Sequence, residues 1–161
     1  MYNPLKLKYA GMYCNMAQAA EQQTDAVREK VGCVIVTPNG VVIPGYNGQP
    51  SGHYTNCCEN TEVEERNLSG LLTYRMKTDR SVLHAENNAM GKALRAGVSI
   101  DGADLYVTVA PCDVCARQII PSGIKRVFFQ RVHDDMTGIE TMEAAGINAI
   151  PWNQIGFMKE G

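Results

Sequence analysis

Leu5, Tyr9, Met12, Met16 and Ala20 recur at helical spacing, so the chain is predicted to begin with an amphipathic helix packed on something apolar. Two apolar runs follow, Val31-Gly32-Cys33-Val34-Ile35-Val36 and Val41-Val42-Ile43. They flank Thr37-Pro38-Asn39-Gly40, a turn sequence that predicts a β-hairpin. A helix-like run opens at His84 and continues to Leu94. Beyond it, Leu105-Tyr106-Val107-Thr108-Val109 and Arg126-Val127-Phe128-Phe129 have the length and composition of buried strands, with helical sequence between them. A helix over about Thr137 to Ala145 precedes a weaker fifth strand, Ile147-Asn148-Ala149-Ile150.

This order predicts an α/β fold with a five-stranded mixed sheet, one antiparallel hairpin followed by parallel strands, and helices on both faces. Ligands of such sheets collect beyond the carboxyl ends of parallel strands, and Cys112 lies directly after one of them. Between Tyr46 and Ser81 the pattern breaks. Gly48, Pro50, Gly52, a Cys57-Cys58 pair and the acidic run Glu62-Val63-Glu64-Glu65 predict a long loop over about residues 47–80, either functional or mobile. The end from Pro151 to Gly161 reads as a surface extension with Trp152 as its anchor, and no internal repeat interrupts the chain.

At 161 residues and 45% hydrophobic composition, one domain spanning residues 1–161 with one sizeable core is expected. A net charge of −2 argues against a polyanionic partner, so no nucleic acid is expected to bind. No run has the length of a membrane span and the first residues lack a secretory core; no membrane association and a cytoplasmic location are the expectation. Cys14, Cys33, Cys57, Cys58, Cys112 and Cys115 are then reduced thiols or metal ligands.

The chemistry concentrates in His84-Ala85-Glu86 and Pro111-Cys112-Asp113-Val114-Cys115. Structural zinc is usually closed by four protein ligands, whereas catalytic zinc keeps three and leaves the fourth position to water. His84, Cys112 and Cys115 make three, and Glu86 remains free to act as general acid and base. Cys112 and Cys115, three apart at a helix start, can present both thiolates to one side. A lone Cys-x-x-Cys also fits half a structural zinc site or a redox pair, but neither gives Glu86 work to do. His-x-Glu followed by Pro-Cys-x-x-Cys is the known signature of zinc nucleobase deaminases.

From about Val31 to Ile150 the chain resembles the deoxycytidylate (dCMP) deaminases of the cytidine deaminase superfamily. The resemblance rests on the zinc motifs, on Val31–Val36, on Leu105-Tyr106-Val107-Thr108, and most specifically on Gly45-Tyr46-Asn47-Gly48-Gln49-Pro50-Ser51-Gly52. It implies a three-layer α/β/α cytidine-deaminase-like fold, zinc on His84, Cys112 and Cys115, and proton transfer by Glu86. It also implies a contact from the Ala85 backbone N–H to the pyrimidine carbonyl, and from Asn47 to the deoxyribose. Arg28 matches a position often basic in the family and is the candidate for the 5′-phosphate. The implied reaction converts dCMP to dUMP and ammonia, supplying dUMP for dTMP synthesis. The implied assembly is a homohexamer activated by dCTP, with Mg2+ accompanying the nucleotide effector, and inhibited by dTTP.

Other readings stay open. Asn47 in a Gly-flanked segment also suits a turn, and Arg28 beside Glu29 and Lys30 also suits solvated surface. Where many relatives carry an aromatic residue after the fourth strand, this chain reads Arg131-Val132-His133-Asp134-Asp135; a smaller Val132 would leave room for a 5-substituted cytosine. Cys14, Cys33, His53, Cys57 and Cys58 offer ligands for a second, structural zinc, or are ordinary buried and loop residues. Cytidine, free cytosine, guanine or pterin-type substrates and tRNA adenosine are alternative substrates, and a catalytically silent, zinc-bound nucleotide sensor is the non-enzymatic alternative.

Overall fold

Strands buried on both faces need cover on both, and the alternation of side chains along them shows where it comes from. The computed structural model describes residues 7–157, with the side chains of Leu7, Glu64 and Phe157 left aside; Leu5 and the chain beyond Phe157 lie outside the described residues. Cys33 and Ile35 of β1 (Gly32–Val36), Leu105 and Val107 of β5 (Asp104–Val109), and Val127 and Phe129 of β6 (Arg126–Arg131) point to one side. There they meet α2 (Ala85–Ala96), α3 (Asp113–Ile119) and α4 (Thr137–Ala144). Val34, Val36, Tyr106 and Phe128 point to the other side, where Ala10, Tyr13 and Ala17 of α1 (Leu7–Glu21) cover them. Tyr106 stacks on Phe128 at 4.8 Å between centroids and meets Tyr13 at 5.5 Å.

The sheet runs β2-β1-β5-β6-β7, with β2 spanning Val42–Tyr46 and β7 Asn148–Pro151. β1 pairs antiparallel with both β2 and β5, while β5–β6 and β6–β7 are parallel, joined through α3 and α4. The expected hairpin closes at Gly40, whose φ of 82° is the left-handed conformation that glycine adopts without steric cost. Pro44, which has no N–H to give a ladder, sits on the edge strand. Trp152 anchors the chain end, donating from Nε1 to the Phe128 carbonyl at 2.9 Å and packing on the α1 side of the sheet.

Two expectations change. The first helix forms, but its buried face is Ala10, Tyr13, Ala17 and Ala20, while Met12 is 41% exposed and Met16 39%. Alanines let the helix lie directly on β1, where a Cβ at Gly32 would stand 2.2 Å from the Ala17 carbonyl oxygen. Methionine side chains would hold the two elements apart. The second change lies within residues 47–80, where Glu59–Arg66 (β3) and Leu72–Thr78 (β4) form a separate antiparallel ribbon rather than a loop. Its turn is an Asn67-Leu68-Ser69-Gly70 sequence in which Asn67 Oδ1 accepts from the N–H groups of Ser69 and Leu71. Most of its side chains are exposed, so no buried face imposes an apolar alternation that sequence could reveal.

Candidate active site

His84 occupies the cap position of α2 and Cys112 that of α3. Both are poor capping residues, so their side chains stay available to a common centre. Cys115, one turn into α3, completes a cluster in which the three donor atoms lie within 4.8 Å of one another. His84 Nδ1 is 3.6 Å from Cys112 Sγ and 3.3 Å from Cys115 Sγ. Tetrahedral zinc, with zinc–sulfur bonds of about 2.3 Å and zinc–nitrogen bonds of about 2.0–2.1 Å, sets nitrogen–sulfur separations near ~3.5 Å. The donor set and its spacing therefore fit zinc.

The charges agree with that fit. Hydrogen bonds from Cys115 and His84 hold the Cys112 thiol down at about 3, whereas the bond it gives to Cys112, followed by burial, pushes Cys115 up. The hydrogen bond to Cys112 raises His84. One thiolate already stands there as a soft, anionic donor for a cation.

Glu86, in the first turn of α2, is only 4% exposed, and burial pushes its carboxyl up. Its Oε2 lies 3.6 Å from Cys115 Sγ. It stands beside the donors without being one of the three gathered. Ala85 is fully buried as the first residue of α2, where a backbone N–H has no partner within the helix. Beneath it, Gly45 permits close contact: a Cβ there would stand 2.3 Å from the Ala85 carbonyl oxygen.

A cavity of about 260 Å³ opens over this floor, beyond the carboxyl ends of β5 and β6. His84, Ala85, Glu86 and Cys112 line its depth; Arg28, Glu29, Asn47, Glu59, Thr78 and His133 stand around it. Asn47 is bound to the chain just before β1: its Oδ1 accepts from the Val31 N–H at 2.9 Å and its Nδ2 donates to the Glu29 carbonyl at 2.7 Å. One amide hydrogen and one lone pair remain for a ligand. Arg28 reaches Thr78 Oγ1 with Nη1 at 3.4 Å, and His133 Nε2 lies 3.1 Å from Glu29 Oε2.

Residues 7–131 match the family described as the cytidine and deoxycytidylate deaminase zinc-binding region. The chain belongs to this deaminase family. The deoxycytidylate deaminase of Enterobacteria phage T4 is 32% identical, over 78% of this chain and 79% of that protein. That of Saccharomyces cerevisiae is also 32% identical, over 92% of this chain and 45% of the yeast protein, so the chain spans under half of that relative's length. The crystal structure of dCMP deaminase from the cyanophage S-TIM5, in complex with dCMP and dUMP, superposes with a TM-score of 0.77 at 33% identity. That match covers 91% of this chain and 98% of the phage chain. The chain is accordingly a hydrolytic deaminase with a zinc-binding region.

In this deaminase, the residues read from sequence fall into two groups. His84, Ala85, Glu86, Cys112, Arg28 and Asn47 all line the one cavity, whereas Val132 does not; it is 39% exposed, and the neighbouring His133 lines the cavity instead. Cys14 and Cys33 lie in the packing layers on opposite sides of the sheet, so they cannot share a second metal. Among the described residues, His53, Cys57 and Cys58 form no gathered donor group; each instead contacts a nearby backbone carbonyl. Glu59, Thr78 and Glu29 carried no sequence signal for the site, because their places depend on closure of the β3–β4 ribbon and on the approach of β6. No described helix is long and apolar enough to cross a membrane.

Proposed function

We propose that this deaminase converts dCMP to dUMP and ammonia, with zinc held by His84, Cys112 and Cys115. The observation carrying the proposal is one cavity lined by His84, Cys112, buried Glu86 and Arg28, with Cys115 gathered behind His84 and Cys112. A nucleotide offers a planar base to the zinc donors and Glu86, and a phosphate to Arg28. Zinc would supply Lewis-acid activation of the attacking water. Glu86 takes a proton from that water as its oxygen bonds to C4 of the cytosine, delivers it to N3, and then passes a proton to the departing amine. The C4–N bond breaks and ammonia leaves. The free N–H of Ala85 holds the pyrimidine carbonyl, and Asn47 gives its remaining amide hydrogen to the sugar. Arg28 offers a two-pronged donor to the 5′-phosphate.

The family resemblance extends the proposal. The deaminase would act in the cytoplasm as one catalytic domain, supply dUMP for dTMP synthesis, and assemble as a homohexamer activated by dCTP with Mg2+ and inhibited by dTTP. Ammonia release from the zinc protein offered dCMP, deoxycytidine or a tRNA anticodon stem-loop, with and without dCTP and magnesium, tests both levels. Turnover confined to dCMP and raised by dCTP is the expected result. Turnover of the stem-loop alone would overturn the substrate, and a response unchanged by dCTP would overturn the regulation.

A further inference from the structure

We infer that Glu59 and Thr78, at the base of the β3–β4 ribbon, position Arg28 and thereby set how strongly the deaminase distinguishes a nucleotide from its nucleoside. The inference rests on the dCMP reading. Glu59 and Thr78 are register partners, and both line the cavity with Arg28. Glu59 Oε1 accepts from the backbone N–H of Val27 at 2.8 Å and of Arg28 at 3.1 Å. Thr78 Oγ1 accepts from Arg28 Nη1 at 3.4 Å. One strand thus holds the main chain of Arg28, and its partner receives the guanidinium.

Arg28 needs such holding. It lies between α1 and β1 where no regular element fixes the backbone, and a long arginine side chain has many rotamers to lose on being held. The ribbon base is itself tied down: Asp79 N–H bonds to the Cys58 carbonyl, Gln49 Nε2 to the Cys57 carbonyl, and Ser81 Oγ to Gln49 Oε1. The long, weak bond to Thr78 is readily exchanged for a phosphate oxygen. A carboxylate accepts from N–H groups more strongly than an amide oxygen does, but the geometry needs only the one accepting oxygen, and an amide supplies it. Facing the same cavity, the charge would repel a phosphate.

The closing experiment compares Glu59→Ala and Glu59→Gln with the unmodified deaminase on dCMP and deoxycytidine. Where nucleoside turnover is slow, competitive inhibition by dUMP against deoxyuridine replaces KM. Glu59→Ala is expected to raise KM for dCMP, or the inhibition constant for dUMP, by about tenfold, roughly 1.4 kcal/mol. The nucleoside constants should move less than about twofold. Glu59→Gln keeps the accepting oxygen and loses the charge, so its nucleotide constants should stay at or below those of the unmodified enzyme. Equal shifts for nucleotide and nucleoside, or a Gln variant as impaired as the Ala variant, would overturn the inference. Failure of the unmodified enzyme to turn over dCMP at all would instead overturn the substrate reading on which it rests.

Discussion

Gly138, in the first turn of α4, lies so close to Cys112 that a Cβ in its place would stand 2.8 Å from the Cys112 carbonyl carbon and 2.0 Å from the Pro111 carbonyl oxygen. Those are backbone atoms and cannot rotate aside. The Cys112 carbonyl is also the acceptor for the Ala116 N–H that starts α3, so the contact bears on the placement of both cysteines. Gly138→Ala should therefore cost about 1–3 kcal/mol of stability as an overpacked site and loosen the proposed zinc centre. Urea denaturation reports the first effect, and the rate of zinc transfer to a chromogenic chelator the second. Unchanged zinc release would mean that α4 does not hold Cys112 in place.

Glu86→Gln should reduce turnover by about 100- to 10,000-fold, the usual worth of a positioned general acid and base, while zinc stays bound. Gln has nearly the same shape, and no pairing is lost that a buried neutral amide cannot offer. Metal content after gel filtration and ammonia release on dCMP are the two readouts. Loss of zinc along with activity would make Glu86 a supporting group and not the proton carrier.

The sequence displays the floor of the cavity more fully than its rim, for a physical reason. Cys112 and Cys115 open α3 directly after β5, so local spacing brings both to the carboxyl end of the sheet, and His84 and Glu86 stand two apart at the start of α2. The central strands were visible because burial on both faces demands unbroken apolar runs such as Val34-Ile35-Val36. The ribbon face has no such demand: Glu62, Val63 and Tyr74 are exposed, so its sequence reads as loop. The rotation of α1 was hidden for a related reason. Hydrophobic spacing favoured Met12 and Met16, but the close approach at Gly32 selects the smaller Ala17.

Asn47 fixes the segment before β1 through two side-chain bonds to backbone, and its own carbonyl accepts from Thr24 Oγ1 at 2.5 Å. A residue that only touched substrate would alter KM and leave stability alone. Asn47→Ala should do both, costing about 1–3 kcal/mol because the Val31 N–H and the Glu29 carbonyl lose partners in a half-buried place. Parallel urea and kinetic measurements separate the two effects. Unchanged stability would show that water replaces the side chain at no cost.

The six cysteines differ enough in surroundings for a thiol reagent to report the metal ligands. Cys57 is exposed and should react first in the zinc-loaded protein. Cys33, Cys58 and Cys115 are buried, and Cys14 is pushed up to about 12 by desolvation, leaving almost no thiolate at neutral pH. Cys112 is only half-buried and hydrogen bonds hold it as a thiolate, so nothing but a bound metal would shield it. Brief alkylation followed by peptide mapping should therefore find Cys57 alone in the loaded protein and Cys57 with Cys112 after chelation. Equal modification of Cys112 before and after chelation would remove it from the metal site. A hydrolytic centre would then be left with His84 and Cys115 alone, one donor short of the three that hold catalytic zinc.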